Sequence, residues 1–274
     1  MKDKLKIIMP VVLIVIFSFF LYLISIKDNN ERRGTKIQAD LSAQKGWQWL
    51  YHYQGKLLDP SIPLIIKNIN EKHCQSSSEI KGFWENALQE FENHQYLPVF
   101  ERFFYDSPNY KPSEKIAKIL KTQQDYYNDA LAQALYCDFY PVKEDFEENV
   151  FSNINNESGY DLTHKFWSAI LFKNNGCESR NYNIDEIIYT GAEKIKDEQE
   201  KSSFDDLYAE RTAMLLENNF ENFVSEEWIK KIIENQKDSG AWATPTYFSR
   251  NYENPHTTTL AIWSLVQYSG KCPF

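Results

Sequence analysis

Two histidines, His164 and His256, each stand in the first turn of a stretch that reads as a helix, YDLTHKFWSAILF and PHTTTLAIWSLVQY. Asp161 is a candidate N-cap for the first, and Asn254 followed by Pro255 makes a favourable start for the second. The positive end of a helix dipole disfavours imidazolium, so both rings are expected to be neutral, able to accept a proton or bind a metal. Between them FDDLYAERTAMLL carries Asp206 and Glu210, four residues apart and therefore on one helical face. Two imidazoles and two carboxylates around one cavity suit acid–base catalysis by all four, or a divalent metal held through His164 and His256. Plainer roles are open to the same residues. His164 can bridge helices by a hydrogen bond, and Asp206 can cap its own helix in the pattern Ser203-x-x-Asp206. Neither histidine has metal spacing of the HExxH kind, so the cluster exists only if the fold assembles it.

Other chemistry finds less in the chain. There is no GxSxG elbow, P-loop or GxGxxG, and Ser76, Ser77 and Ser78 read as a loop. Trp47, Trp49, Tyr51, His52 and Tyr53 form an aromatic cluster that suits packing beside a core, or a platform for sugar stacking. The run EDFEEN near Glu144 is a solvated acidic face. Cys74, Cys137, Cys177 and Cys272 form no CxxC pair. In an exported body they allow two disulfides in three pairings, whereas in a cytoplasmic one they are free thiols.

The elements that must position these residues are helical. Nine glycines in 274 residues are few for a β fold of many turns, and 42% hydrophobic with 15% aromatic residues excludes a disordered chain. Residues 7–26 form an uncharged run long enough to cross a bilayer as a helix, with Lys2, Lys4 and Lys6 before it. They are expected to be an N-terminal transmembrane signal anchor spanning 1–27, with the N-terminus inside and the body outside. A cleaved signal peptide is the alternative, but LYLISIKDNN offers no small-residue cleavage site. Residues 28–35, DNNERRGT, read as a polar linker, and 36–274 as a single helical domain. The net charge of −9 leaves about −12 on that body, which disfavours binding to nucleic acid or anionic lipid headgroups.

Helices are expected over 37–57, 61–73, 79–93, 96–105, 112–121, 123–139, 143–153, 161–174, 184–199, 204–218, 225–235 and 255–268. Two kinds alternate in the second half. SEEWIKKIIEN, with Ser225 at its start, has one apolar stripe of Trp228, Ile229, Ile232 and Ile233, as an outer helix requires. LAIWSLV, from Leu260, is apolar almost all round, as a helix buried on every side requires. The buried kind recurs from Asp125, Tyr160, Phe204 and Pro255, each beginning polar and turning apolar. Such helices can line a ring, with amphipathic helices outside, or pack as an irregular bundle.

The stretch WIKKIIENQKDSGAWATP, with PHTTTLAIWSLVQY after it, resembles the repeat of terpenoid cyclases and protein prenyltransferases. In that repeat an outer helix ends in a Gln-…-Asp-Gly-Trp-like turn before an inner helix. The resemblance implies an all-α, α/α-toroid fold in which Gln236 and Trp242 tie neighbouring helices together. The catalytic motifs do not follow, because no DxDD, no DDxxD and no Asp-x-Cys ahead of His256 occurs. The expectation is therefore a membrane-tethered α/α-toroid with a polar central pocket and chemistry centred on His164, His256, Asp206 and Glu210. Its rivals are a non-catalytic module binding a peptide, glycan or protein, and a divergent relative of the terpene cyclases.

Overall fold

The computed structural model describes residues 2–53, 59, 61–90, 97–104, 110–122, 126–152, 154–244 and 252–273, without the side chains of 1–24, 26, 28, 90, 97–99, 122 and 126–128. Among the described residues it is all-α apart from one two-stranded ribbon. The helices are α1 (Lys2–Tyr51), α2 (Ser61–His73), α3 (Ser78–Glu90), α4 (Leu97–Phe104), α5 (Glu114–Thr122) and α6 (Tyr126–Leu135). They continue with α7 (Gly159–Asn174), α8 (Ile184–Gln199), α9 (Asp206–Glu217), α10 (Glu226–Glu234) and α11 (Pro255–Ser269). Strands β1 (Ala243–Thr244) and β2 (Tyr252–Glu253) pair antiparallel between α10 and α11.

Residues 28–35, expected as a linker, lie within α1, which runs on without a break. Nothing in DNNERRGT is a proline, and a single glycine costs a helix only about 1 kcal/mol. The far end of α1 is anchored, since Thr35 donates to the Glu226 carboxylate at 2.6 Å and Ala39, Ala43, Trp47 and Leu50 are buried. The apolar run 7–26 lies, save Ser25, outside the described side chains. Among the described residues no helix is long and apolar enough to cross a membrane. Where a helix was expected over 143–153 the chain makes a π-helical turn, Glu148–Ser152, and a 3-10 turn, Ile154–Asn156.

The two kinds of helix differ as their sequences require. On α10, Trp228, Ile229 and Ile232 are buried while Ile233 is half-buried. On α8, Ile188, Ala192, Ile195 and Gln199 mark the buried stripe. In contrast, α11 is buried continuously from Thr257 to Val266. Its hydroxyls are satisfied without water: Thr259 donates to the Pro255 carbonyl at 2.8 Å, and Ser264 to the Ala209 carbonyl of α9 at 2.8 Å. The small residues Ala209, Ala213 and Ala261 let α9 and α11 come close.

Contacts follow a cycle. Helices α2, α4, α6, α7, α9 and α11 touch in that order, and α11 returns to α2. Each intervening helix packs on one or two members of the cycle: α1 and α10 on α11, α3 on α2, α5 on α4 and α6, and α8 on α7 and α9. Two disulfides, Cys74–Cys272 and Cys137–Cys177, join the chain just past the C-terminal ends of α2 and α11 and of α6 and α7. The cysteines are thus paired, and the pairing is settled.

The turn after α10 joins three helices. The Gln236 amide donates to the carbonyls of Ser42 on α1 and Gly240, both at 2.8 Å. The Trp242 indole N–H donates to the Ile232 carbonyl at 2.7 Å, and its backbone N–H to the Thr258 hydroxyl at 3.1 Å. Gly240 has a φ of +104°, and a Cβ there would lie 2.5 Å from the Lys45 carbonyl oxygen. Gly240→Ala should therefore cost more than about 2 kcal/mol, read by chemical denaturation, because both the backbone conformation and the approach of α1 forbid a side chain. A variant within about 0.5 kcal/mol of the wild type would show that the turn is not held there.

Candidate active site

A cavity of about 650 Å³ lies where the six helices of the cycle face one another, within the range of about 300–1,000 Å³ usual for small-molecule sites. Its wall is built from stripes spaced three or four residues apart, the repeat of one helical face. On α7 the stripe is Tyr160, His164, Trp167, Leu171 and Asn174; on α9 it is Asp206, Glu210, Met214 and Glu217. On α11 it is His256, Leu260 and Trp263. Each stripe is polar near the helix N-terminus and apolar or aromatic in the middle. The result is a polar mouth above an aromatic belt, where Phe103 and Trp167 stack with centroids 5.6 Å apart and planes 15° apart.

All four residues expected at the site line this cavity. Their local setting differs from expectation. Helix α7 begins at Gly159 after Ser158, so Asp161 is inside the helix and is not its N-cap. On α9 the cap is Asp205, whose carboxylate accepts from the Tyr208 N–H at 2.8 Å. That leaves Asp206 to face the cavity instead of capping its own helix. On α11 the start is as expected: Asn254 accepts from the His256 N–H at 2.9 Å and Pro255 follows it.

Asp206 gathers three donors. Thr257 donates to one carboxylate oxygen at 2.7 Å, Tyr160 to the other at 2.9 Å, and His256 Nδ1 lies 3.1 Å from that second oxygen. The other ring nitrogen of His256, Nε2, lies 3.7 Å from Asp59. Burial works against a charge on His256, but the bond to Asp206 and the fields of Asp59, Asp206 and Glu210 outweigh it, raising its pKa to about 9. Burial likewise pushes Asp206 up, and is outweighed by His256, Thr257 and Tyr160, which hold it below the usual carboxylate range. The expectation of a neutral His256 is therefore corrected. Three carboxylates close by overcome a helix terminus whose effect is typically 0.3–1 kcal/mol. Burial, with the Asp206 charge beside it, keeps the Tyr160 hydroxyl protonated far beyond its ordinary range.

Glu210 is the opposite case. It is buried one turn below Asp206, and burial raises its pKa to about 7 although Thr163 donates to it at 2.5 Å and His256 lies near. One helical face thus carries an ionised carboxylate and a carboxylic acid that exchanges its proton near neutrality, the arrangement that assigns separate acid and base roles. His164 stands one turn below Tyr160, with ring centroids 6.2 Å apart.

Among the described residues no group of three or more His, Cys, Asp and Glu is disposed to hold a metal ion. A protonated His256 with both ring nitrogens turned to carboxylates has no lone pair to offer. Asp59 and Tyr160 are site residues that sequence reasoning missed. Tyr160 sits four residues before His164 on the same face, a spacing that could have revealed it. Asp59 precedes α2, where Ser61 donates to it from both its backbone N–H at 2.9 Å and its hydroxyl at 2.7 Å. The aromatic cluster of α1 does not line the cavity. Trp47 is buried against Phe83 with centroids 4.9 Å apart, and the Trp49 indole donates to Glu253 at 3.2 Å. Comparison of the chain with known protein families, curated proteins and solved structures finds no match.

Proposed function

We propose that this chain is a membrane-tethered α/α-toroid whose central pocket performs acid–base chemistry. The single observation that carries the chemistry is the α9 face, where Asp206 gathers Thr257, Tyr160 and His256 while Glu210, one turn on, is buried with Thr163 as its donor, so that burial raises it to about 7. In this reading Glu210 is the group that gives or takes a proton. The His256 Nε2–H is a second acid at the mouth, and Asp206 and Tyr160 are positioning residues that hold the imidazole. The toroid is supported by the cycle of contacts α2–α4–α6–α7–α9–α11 and by a cavity to which all six of those helices contribute. The tether rests on the apolar run 7–26, and an exported body is favoured by two disulfides, which persist in oxidising compartments.

A terpene-cyclase or prenyl-transfer reading receives less support. The sequence holds none of the DxDD, DDxxD or Asp-x-Cys motifs on which that chemistry depends.

The test is the titration of His256 by NMR of its ring nitrogens in the full chain. A pKa of about 9 is expected, falling toward the ordinary histidine value in Asp206→Asn. An ordinary value in the wild type, unmoved by Asp206→Asn, would remove the charged pair from which the chemistry is read.

A further inference from the structure

The long helix α1 fixes which way the pocket faces. It packs antiparallel to α11, as three contacts along its length show. Lys36 lies over the Tyr268 ring at 5.8 Å, a Cβ on Gly46 would lie 3.0 Å from the Ile262 side chain, and the Trp49 indole donates to Glu253 at 3.2 Å. His256, in the first turn of α11, is therefore level with Trp49, and the C-terminal end of α11 is level with Lys36. Helix α1 is continuous from Trp49 back to the apolar run 7–26. At about 1.5 Å per residue, the stretch from residue 26 to residue 49 spans about 35 Å. A tilt of about 20°, usual for a membrane helix, shortens that by only about 2 Å.

The end of the cycle nearer the apolar run is clamped. There Cys74–Cys272 joins α2 to α11, and Cys137–Cys177 joins α6 to α7. Glu217, at the end of α9, accepts from Asn68 of α2 at 3.0 Å, pairs with Lys72 and accepts from Gln267 of α11. At the mouth, in contrast, Tyr160 is 42% exposed and the Asp59 side chain 41%. A bilayer lipid would have to leave the hydrocarbon and cross about 35 Å of water to reach that opening. Each methylene drawn into water costs about 0.8 kcal/mol, so a chain of about a dozen carbons faces roughly 10 kcal/mol. A dissolved molecule meets no such barrier.

We propose that the pocket opens away from the bilayer and takes a water-borne substrate, one that arrives from the aqueous phase and not as a membrane lipid. This rests on reading residues 7–26 as a tether and the pocket as the reactive site, but not on which of its groups moves the proton.

The experiment places one cysteine at a time in the full-length chain carried on phospholipid vesicles, where the four native cysteines are paired and do not react. Arg33→Cys stands exposed on α1 about 10 Å beyond the apolar run, and Ser61→Cys stands at the mouth. Each is treated with a small water-soluble maleimide and, separately, with a maleimide carried on the headgroup of a vesicle lipid. Arg33→Cys should react with both. Ser61→Cys should react with the soluble reagent, but about tenfold or more slower than Arg33→Cys with the lipid-borne one, because the headgroup layer reaches only about 6 Å beyond the hydrocarbon. Equal rates for the two cysteines with the lipid-borne reagent would place the mouth at the bilayer and overturn the proposal. A Ser61→Cys that the soluble reagent does not modify would overturn it too. A chain that fails to float with the vesicles would remove the tether, and the orientation with it. If Ser61→Cys is shielded as expected while His256 titrates as an ordinary histidine, the acid–base reading fails and the orientation stands.

Discussion

Glu210→Gln should make the protein more stable above neutral pH, by on the order of 3 kcal/mol, while leaving it nearly unchanged below about pH 4.5. The cause is the buried carboxyl, whose pKa moves from an ordinary 4.5 to about 7 on folding. Each pKa unit corresponds to about 1.4 kcal/mol. Because the folded value is raised, its favourable contribution is complete below about 4.5 and is lost as pH rises to about 7. Above that point the wild type carries a buried negative charge that the amide does not. Glutamine keeps the size of the side chain and an oxygen to accept from Thr163. His256, raised from 6.5 to about 9, adds a separate decline across that higher window in both proteins. Asp206, whose pKa is lowered, works the other way, and its contribution is lost in acid as pH falls through its folded value. Denaturant titrations of both proteins across the neutral range check this. A difference that is the same in acid and in base would mean that Glu210 ionises normally.

Breaking the Cys74–Cys272 bond should be the most damaging of the covalent changes. It joins residues 198 apart in sequence, whereas Cys137–Cys177 joins residues 40 apart. If disulfides act mainly by restricting the unfolded chain, the longer loop contributes about 5 kcal/mol and the shorter about 1.4 kcal/mol less. Cys74→Ser with Cys272→Ser should therefore lower the melting temperature by roughly 10 °C, and Cys137→Ser with Cys177→Ser by less. The first pair also holds the C-terminal end of α11 to α2, which closes the cycle of helices around the pocket. Scanning calorimetry of the two double variants would decide it. A larger loss from the 137–177 pair would show that local packing, not chain restriction, governs these bonds.

Much of this arrangement was legible in the sequence, for reasons that can be named. The starts of α2 and α8 follow from Pro60 and Asn183, and their ends from the serines that come after the apolar stripes, Ser76, Ser77 and Ser78 in one and Ser202 and Ser203 in the other. The polar starts of the inner helices bring His164, His256, Asp206 and Glu210 toward one end of a central cavity, and all four line it. What could not be read is what non-local contact decides. Residues 28–35 look like a linker because their side chains are polar, yet no residue there stops a helix that α10 and α11 hold further on. The protonation of His256 depends on Asp59, nearly two hundred residues away in the chain, so its helix position alone gave the wrong sign. Asp205 and Asp206 are adjacent and alike, and only the fold separates the cap from the cavity residue. The π-helical turn at Glu148–Ser152 falls within an acidic stretch whose composition suits an ordinary helix equally well.

The chemistry proposed for this pocket requires of Glu210 a proton exchangeable at neutral pH. Infrared difference spectroscopy of the full chain, wild type against Glu210→Gln, reads it directly through the protonated-carboxyl band. A band that disappears as pH rises through about 7, and that the variant lacks, is the predicted result. A carboxyl already ionised in mild acid would contradict the account.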